Sequence, residues 1–246
     1  MAALFLYIDI NNRYRCCREE RMLNNGLKYK ISILGDSIST YEGYNPYGYP
    51  VYYKYDRIYD NEMESVDDTW WKRVIDFFGG ELCVNNSFSG SLVAGEFESS
   101  GCSYERCSAL HEDIYPDLIL IYMGTNDRGF ESDIKMEEAD NPKGFYGAYK
   151  IMLKKLKMNY PLAKIVCATL PMGRLKDKTV IENYRLVKNS LLYNNIIRRA
   201  VREENCFLAD IASFGELYET LDYSHPTKNG HKTLSELWIN ALTAIL

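Results

Sequence analysis

KYKISILGDSIST, residues 28–40, decides how the rest of this chain is read. Tyr29 to Leu34 is a short apolar, β-branched run, the pattern of a strand buried on both faces in a parallel sheet. Gly35-Asp36-Ser37 stops it at once: glycine permits a sharp turn, and Asp or Ser suits the cap of a following helix. Ser37 then sits at the carboxyl end of a first strand, the edge at which open parallel α/β sheets bind ligands. Turn N–H groups and a helix N-terminus favour negative charge beside its hydroxyl. A nucleophile for acyl transfer gains from that place, because its intermediate is an oxyanion. Taken alone, Gly-Asp-Ser is far more often a plain strand–turn–helix cap, so the choice rests on the residues downstream.

Tyr41 to Tyr59 is broken by Gly43, Pro46, Gly48 and Pro50 and reads as a loop. It packs eight tyrosines into nineteen residues, which suits either a wall or lid over Ser37 for a polar ligand or a packed surface loop. Asp67-Asp68-Thr69 caps a helix whose apolar face holds Trp70, Trp71, Val74, Phe77 and Phe78, and Gly79-Gly80 ends it. The tryptophans are expected in the core. Glu81 to Asn85 is a second strand, running into the polar turn Asn86-Ser87-Phe88-Ser89-Gly90-Ser91. Cys102 to His111 is irregular, then helical, and Asp117 to Met123 (DLILIYM) is the clearest buried strand, followed directly by Gly124-Thr125-Asn126-Asp127. A polar loop to Pro142, a helix over Phe145 to Asn159, a strand over Lys164 to Leu170, and a helix from about Ile181 to Glu204 come next. A fifth strand over Cys206 to Ile211, the stretch Asp222-Tyr-Ser-His225-Pro226 and a helix from about Gly230 complete the chain.

Strands alternate with helices with no internal repeat and no linker. The expected fold is α/β: one three-layer α/β/α sandwich with a five-stranded, mostly parallel sheet in the flavodoxin-like order 2-1-3-4-5. Residues 28–246 form that domain. Residues 1–27 show little periodicity and read as an appended segment, with Met22 an alternative start.

The net charge of −5 gives no bias toward nucleic acid or an anionic membrane surface. No apolar run is long enough to span a bilayer, and Ala2 to Ile8 lacks the flanks of a signal peptide. The seven cysteines lack CxxC spacing, which argues against a zinc site and for a reduced, intracellular and hence cytoplasmic protein. Cys102 and Cys107 are close enough in sequence to pair, though nothing requires it.

Four polar clusters thus follow strands or precede the last helix, all on one edge of the sheet. Each supplies something that serine acyl transfer needs. Ser37 can attack a carbonyl carbon, and His225 can take its proton and later return it. Asp222, three residues before His225, can reach the far imidazole nitrogen and fix the tautomer. The Ser37 N–H, the Gly90 N–H and the Asn126 side-chain amide can receive the oxyanion. Asp36 and Asp127 read as carboxylates that hold turns. His111 is expected to be structural, and His231 to face solvent from the last helix.

GDSIST at 35–40, NNSFSG at 85–90, GTND at 124–127 and DYSHP at 222–226 resemble the four sequence blocks of the GDSL-type esterase/lipase family, the SGNH hydrolases. The resemblance runs from about Lys28 to the end of the chain. It implies Ser37 as nucleophile, His225 as base, Asp222 as its orienter, Gly90 and Asn126 as oxyanion donors, and no metal or cofactor. Ile38 stands where the family name has leucine, at a position that packs. The expected activity is hydrolysis of small-molecule carboxylic esters through an acyl-enzyme, with short-chain or acetyl esters of a carbohydrate preferred. A lysophospholipase or thioesterase is the alternative within enzymes. From other classes come a non-catalytic carbohydrate-binding module and, last, a nucleotide binder, which would need a glycine-rich loop that GDSIST lacks. The oligomeric state is not legible in the sequence.

Overall fold

β1 (Lys30–Gly35) is buried on both faces, with Ile31, Ser32, Ile33 and Leu34 all fully inaccessible. The Ser32 hydroxyl donates to the Leu110 carbonyl at 2.7 Å, which offsets the cost of burying it. The computed structural model describes residues 28–57, 61–130, 132–134, 138–176, 178 and 184–246, with 184–186 by backbone only. The expectations for residues 1–27 lie outside the described residues, as does Tyr59.

The remaining strands are β2 (Glu81–Ser87), β3 (Leu118–Tyr122), β4 (Lys164–Ala168), β5 (Gly173–Leu175), β6 (Phe207–Ala209) and β7 (Tyr218–Thr220). Five form the central sheet in the order β2-β1-β3-β4-β6. This is the expected order, with β6 as the fifth strand read from the sequence, and every pairing is parallel rather than most of them. The register matters most for function. Gly35 lies opposite Ser87 on one side and Tyr122 on the other, so β1, β2 and β3 end at the same level and release their loops onto one rim.

Helices α1 (Trp70–Phe77), α2 (Tyr104–Ser108), α3 (Thr125–Phe130), α4 (Phe145–Asn159), α5 (Tyr184–Glu203) and α6 (Lys228–Ile245) cover the sheet. α1 packs on α6, while α4 packs on α2 and α5, the two outer layers of the sandwich. Trp70, Trp71, Val74 and Ile75 are buried, and Trp70 stacks on Trp238 of α6 with ring centroids 5.0 Å apart. Thr69 caps α1 by accepting the Lys72 N–H.

The structure departs from the sequence expectations at three places. Thr125–Phe130 is a short helix instead of the start of a polar loop, because Gly124 (φ 118°) turns the chain sharply and the Gly124 carbonyl accepts the Arg128 N–H. β5 and β7 pair in parallel as a separate two-stranded sheet. Strands of three residues carry too little alternation to be read from a sequence. His231 does not face solvent. It is fully buried, its Nδ1 accepts the Trp70 N–H at 3.2 Å, and burial pushes it down to about 3, so it is a neutral helix cap. It falls on the α6 face that meets α1, a pairing of helices far apart in sequence.

Candidate active site

The turn after β1 is tight. A Cβ on Gly35 would meet Ser39 Cβ and Oγ and Ser87 Oγ at 2.6 Å, so only glycine admits the 3-10 turn Ser37–Ser39 folding back on the strand end. Asp36 caps that turn: Oδ1 accepts the Ile38 N–H at 3.0 Å, and the Asp36 carbonyl accepts the Ser39 N–H. The Ser37 N–H is left out of that cap. The Ser37 carbonyl is held in turn by the Thr40 hydroxyl at 2.8 Å.

Ser37 Oγ lies 2.9 Å from His225 Nε2, across 188 residues of chain. On the far side of the ring, His225 Nδ1 lies 2.7 Å from Asp222 Oδ2. Asp222 Oδ1 accepts the main-chain N–H groups of Ser224 (3.0 Å) and His225 (2.8 Å). Burial tends to raise this carboxyl, but the hydrogen bonds from His225 outweigh it and hold the group below the ordinary carboxylate range. An ionised carboxylate only accepts, so Nδ1 carries the ring proton and Nε2 accepts from the Ser37 hydroxyl. An imidazole in that tautomer can take the serine proton as the oxygen attacks.

The missed mini-sheet carries the His225 loop. Thr220 at the end of β7 donates its hydroxyl to the Arg174 carbonyl of β5 (2.9 Å) and accepts the Tyr223 N–H (2.9 Å). The Leu221 N–H donates to the His225 carbonyl at 2.9 Å, closing the loop on itself. Tyr223 takes φ 68°, a left-handed value that a non-glycine residue rarely adopts.

Gly90 and Asn126 reach the same rim. The Ser91 N–H donates to the Phe88 carbonyl, and Gly90, third in that turn, has φ 82°, the left-handed value a type II turn requires there. The Phe88 N–H donates to the Gly35 carbonyl, tying this turn to the base of Ser37. The Asn126 side-chain amide donates one hydrogen to the Ser91 carbonyl at 2.9 Å, which orients the amide and leaves its second hydrogen. Asp127 holds the continuation of the same loop by accepting the Val93 (2.7 Å) and Ala94 (3.0 Å) N–H groups. Its burial pushes the carboxyl up to about 6. Asp36 and Asp127 thus act as the turn-holding carboxylates the sequence suggested.

Sequence reasoning missed Arg106. On the short helix α2 it resembles a surface arginine, yet it is fully buried. Its guanidinium donates to the Gly35 and Asn86 carbonyls (2.8 Å each), to Asn86 Oδ1 (2.7 Å) and to the Ser99 carbonyl (2.7 Å). It therefore ties the ends of β1 and β2 together behind Ser37. Burial lowers it to about 10, which still leaves it charged at neutral pH.

The tyrosine-rich loop is partly a wall and largely packed. Tyr41 and Tyr53 are core residues and Tyr47 is exposed, while Tyr52 lies flat against His225. His111 sits away from this rim, stacked on Tyr115 and 3.2 Å from the Tyr160 hydroxyl, as a structural residue would. Cys102 and Cys107 are both free thiols, donating to the Gly95 and Gly101 carbonyls. Among the described residues, no cluster of His, Cys, Asp or Glu could hold a metal ion, and no helix is long and apolar enough to cross a membrane.

Asp36 gives a pH prediction. Its Oδ2 is buried with no hydrogen-bond partner, and burial pushes the carboxyl up to about 6. A raised folded-state value means stability present below about 4 and lost as pH rises through about 6. Asp36→Asn keeps an oxygen for the Ile38 cap and carries no charge. It should gain roughly 2–3 kcal/mol on the wild type between pH 4 and 7.5. Urea unfolding at both pH values checks this, and a difference that does not change with pH refutes it.

Solved structures with the same fold include a Bacteroides ovatus protein assigned as a GDSL-like lipase, 24% identical, with a TM-score of 0.70 over 89% of this chain and 100% of that one. A Bacteroides uniformis protein assigned likewise is 24% identical with a TM-score of 0.66 over 89% and 97%. An acetylxylan esterase from Geobacillus stearothermophilus is 18% identical with a TM-score of 0.54 over 89% and 95%. At these identities the likeness establishes the fold. A search among curated proteins gives no match. A family model described as GDSL-like lipase/acylhydrolase matches residues 29–188, a span that holds Ser37, Gly90 and Asn126 and ends before Asp222 and His225. Because that match covers well over half of the 246 residues, the chain belongs to the GDSL-like lipase/acylhydrolase family.

Proposed function

We propose that this protein is a serine esterase that cleaves carboxylic esters through an acyl-enzyme on Ser37, and that its substrates are short-chain, chiefly acetyl, esters of a polar compound such as a carbohydrate. The observation that carries the reading is the unbroken hydrogen-bond line from Ser37 Oγ through both nitrogens of His225 to Asp222. In the first half-reaction, Ser37 Oγ bonds to the carbonyl carbon and its proton passes to His225 Nε2. The oxyanion is received by the N–H groups of Ser37 and Gly90 and by the free Asn126 amide hydrogen; one such donor is typically worth about 2.7–4 kcal/mol of barrier. Collapse of the intermediate breaks the ester C–O bond, and the His225 proton leaves with the alcohol. Water then attacks the acyl-enzyme and gives its proton to His225, which returns it to Ser37 Oγ as the acyl C–O bond breaks and the carboxylic acid leaves.

The preference for a small, polar ester rests on Tyr52, which lies on His225 in a tyrosine-rich loop, because tyrosine offers a polar substrate both a ring face and a hydroxyl. The fold likeness to an acetylxylan esterase points the same way. The free thiols fit a cytoplasmic setting.

Two measurements test the proposal. A fluorophosphonate should label the protein once, with the adduct on Ser37 by peptide mass spectrometry; no adduct would favour a binding module on a hydrolase scaffold. Across nitrophenyl esters of rising acyl length, kcat/KM should peak at acetate or butyrate and fall at least about tenfold by decanoate, the order of discrimination that a few methylenes allow. A peak at long chains would move the protein to the lysophospholipases.

A further inference from the structure

Tyr52 lies against the imidazole of His225 with ring centroids 3.6 Å apart and planes 3° from parallel. Its main-chain N–H donates to Thr40 Oγ1 at 2.9 Å, and that hydroxyl donates to the Ser37 carbonyl at 2.8 Å. A single threonine thus couples the backbone of Ser37 to the residue that covers His225. The next residue makes a second attachment: the buried Tyr53 hydroxyl donates to the Pro226 carbonyl at 2.8 Å. Tyr52 and Tyr53 therefore grip His225-Pro226 by ring face and by carbonyl, in a loop that is otherwise braced by its own turn.

We propose that Tyr52 is a positioning residue for the ester hydrolysis inferred above. Its ring keeps the imidazole in line with Ser37, and its π face favours the imidazolium that forms as Ser37 attacks. The face of an aromatic ring carries negative quadrupole density, so a cation lying flat on it is attracted where a neutral ring is not. That preference belongs to the transition state more than to the resting enzyme, which makes it useful for catalysis. The titratable groups facing His225 are Asp222 on its own loop, Asp36 from the turn after β1 and His231 from α6, while the Tyr53 phenol is held on the neighbouring Pro226 carbonyl. His231 and Tyr53 are neutral at working pH, and the two carboxylates stay in place when Tyr52 is changed.

The proposal rests on the esterase reading, so Ser37→Ala is run beside it. Position 52 is changed in three ways: Tyr52→Phe, replacement by pentafluorophenylalanine, and Tyr52→Leu. Phenylalanine and its fluorinated form share a shape, but fluorination reverses the ring quadrupole. We expect Tyr52→Phe to stay within about threefold of wild-type kcat. The fluorinated ring and Tyr52→Leu should lose about five- to tenfold in kcat with KM unchanged. Their acidic limb of kcat/KM should move to lower pH by about half a unit or more. A merely structural role would lower the melting temperature without moving that limb. Equal rates and pH profiles for phenylalanine and its fluorinated form would overturn the proposal, even if Tyr52→Leu does not fold. A dead Ser37→Ala with a flat fluorination series removes Tyr52 alone; an active Ser37→Ala removes the esterase reading itself.

Discussion

Ser37→Ala is expected to cut kcat on nitrophenyl acetate by about 10⁴-fold or more, and to abolish fluorophosphonate labelling, while the melting temperature stays within a few degrees. The size of the loss comes from the missing oxygen: without it no acyl-enzyme forms, and only the oxyanion donors remain to help water attack. The small structural effect comes from how the turn is held. Its Asp36 cap, the bond from the Ser39 N–H and the bond from the Thr40 hydroxyl all use main-chain groups of residues 36–39 or the Asp36 side chain. The Ser37 hydroxyl itself bonds to His225, whose side chain is 18% exposed, so water can satisfy the freed nitrogen. Circular dichroism and thermal unfolding must therefore show a folded protein for the loss to count. A variant that keeps its rate to within tenfold would take Ser37 out of the role of nucleophile.

The sheet was legible because its signal is local. β1 and β3 are short, apolar and closed by glycine-polar turns, and burial on both faces of a parallel sheet produces that pattern. The four rim clusters were legible for a related reason: each directly follows a strand or precedes a helix, so topology alone brings them to one edge. What stayed hidden depends on contacts between distant segments. The burial of Arg106 needs the loop carbonyls of Gly35, Asn86 and Ser99 to converge on it, and nothing near residue 106 announces them. His231 faces α1 only because α1 and α6 share a layer. β5 and β7 pair across more than forty residues, with three residues each. The tyrosine-rich loop left two readings open in the sequence, and the structure divides it between them: Tyr41 and Tyr53 pack into the core, and Tyr52 covers His225.

Asp222→Asn should lower kcat by about 10⁴-fold with little change in fold, a loss nearly as large as removing the serine and made without touching a reacting atom. Asparagine can keep Oδ1 where it accepts the Ser224 and His225 N–H groups, so the loop retains its main-chain hydrogen bonds. Its amide nitrogen then stands where Oδ2 was, 2.7 Å from His225 Nδ1. Two donors cannot face each other, so the ring gives up the Nδ1 proton and carries it on Nε2 instead. That nitrogen faces Ser37 Oγ at 2.9 Å, and as a donor it can no longer take the serine proton. The variant also lacks the negative charge that steadies the imidazolium in the transition state. Because the wild-type carboxyl is held below the ordinary range, its contribution is complete above about pH 4 and is lost only as pH falls further. The deficit of Asp222→Asn should therefore be constant from pH 6 to 8. Rates above pH 9, where hydroxide can assist attack, should recover part of it. Steady-state kinetics across that range, with the melting temperature as control, decide the matter: a loss of less than tenfold at pH 7 would mean that His225 does not need Asp222 to hold its tautomer.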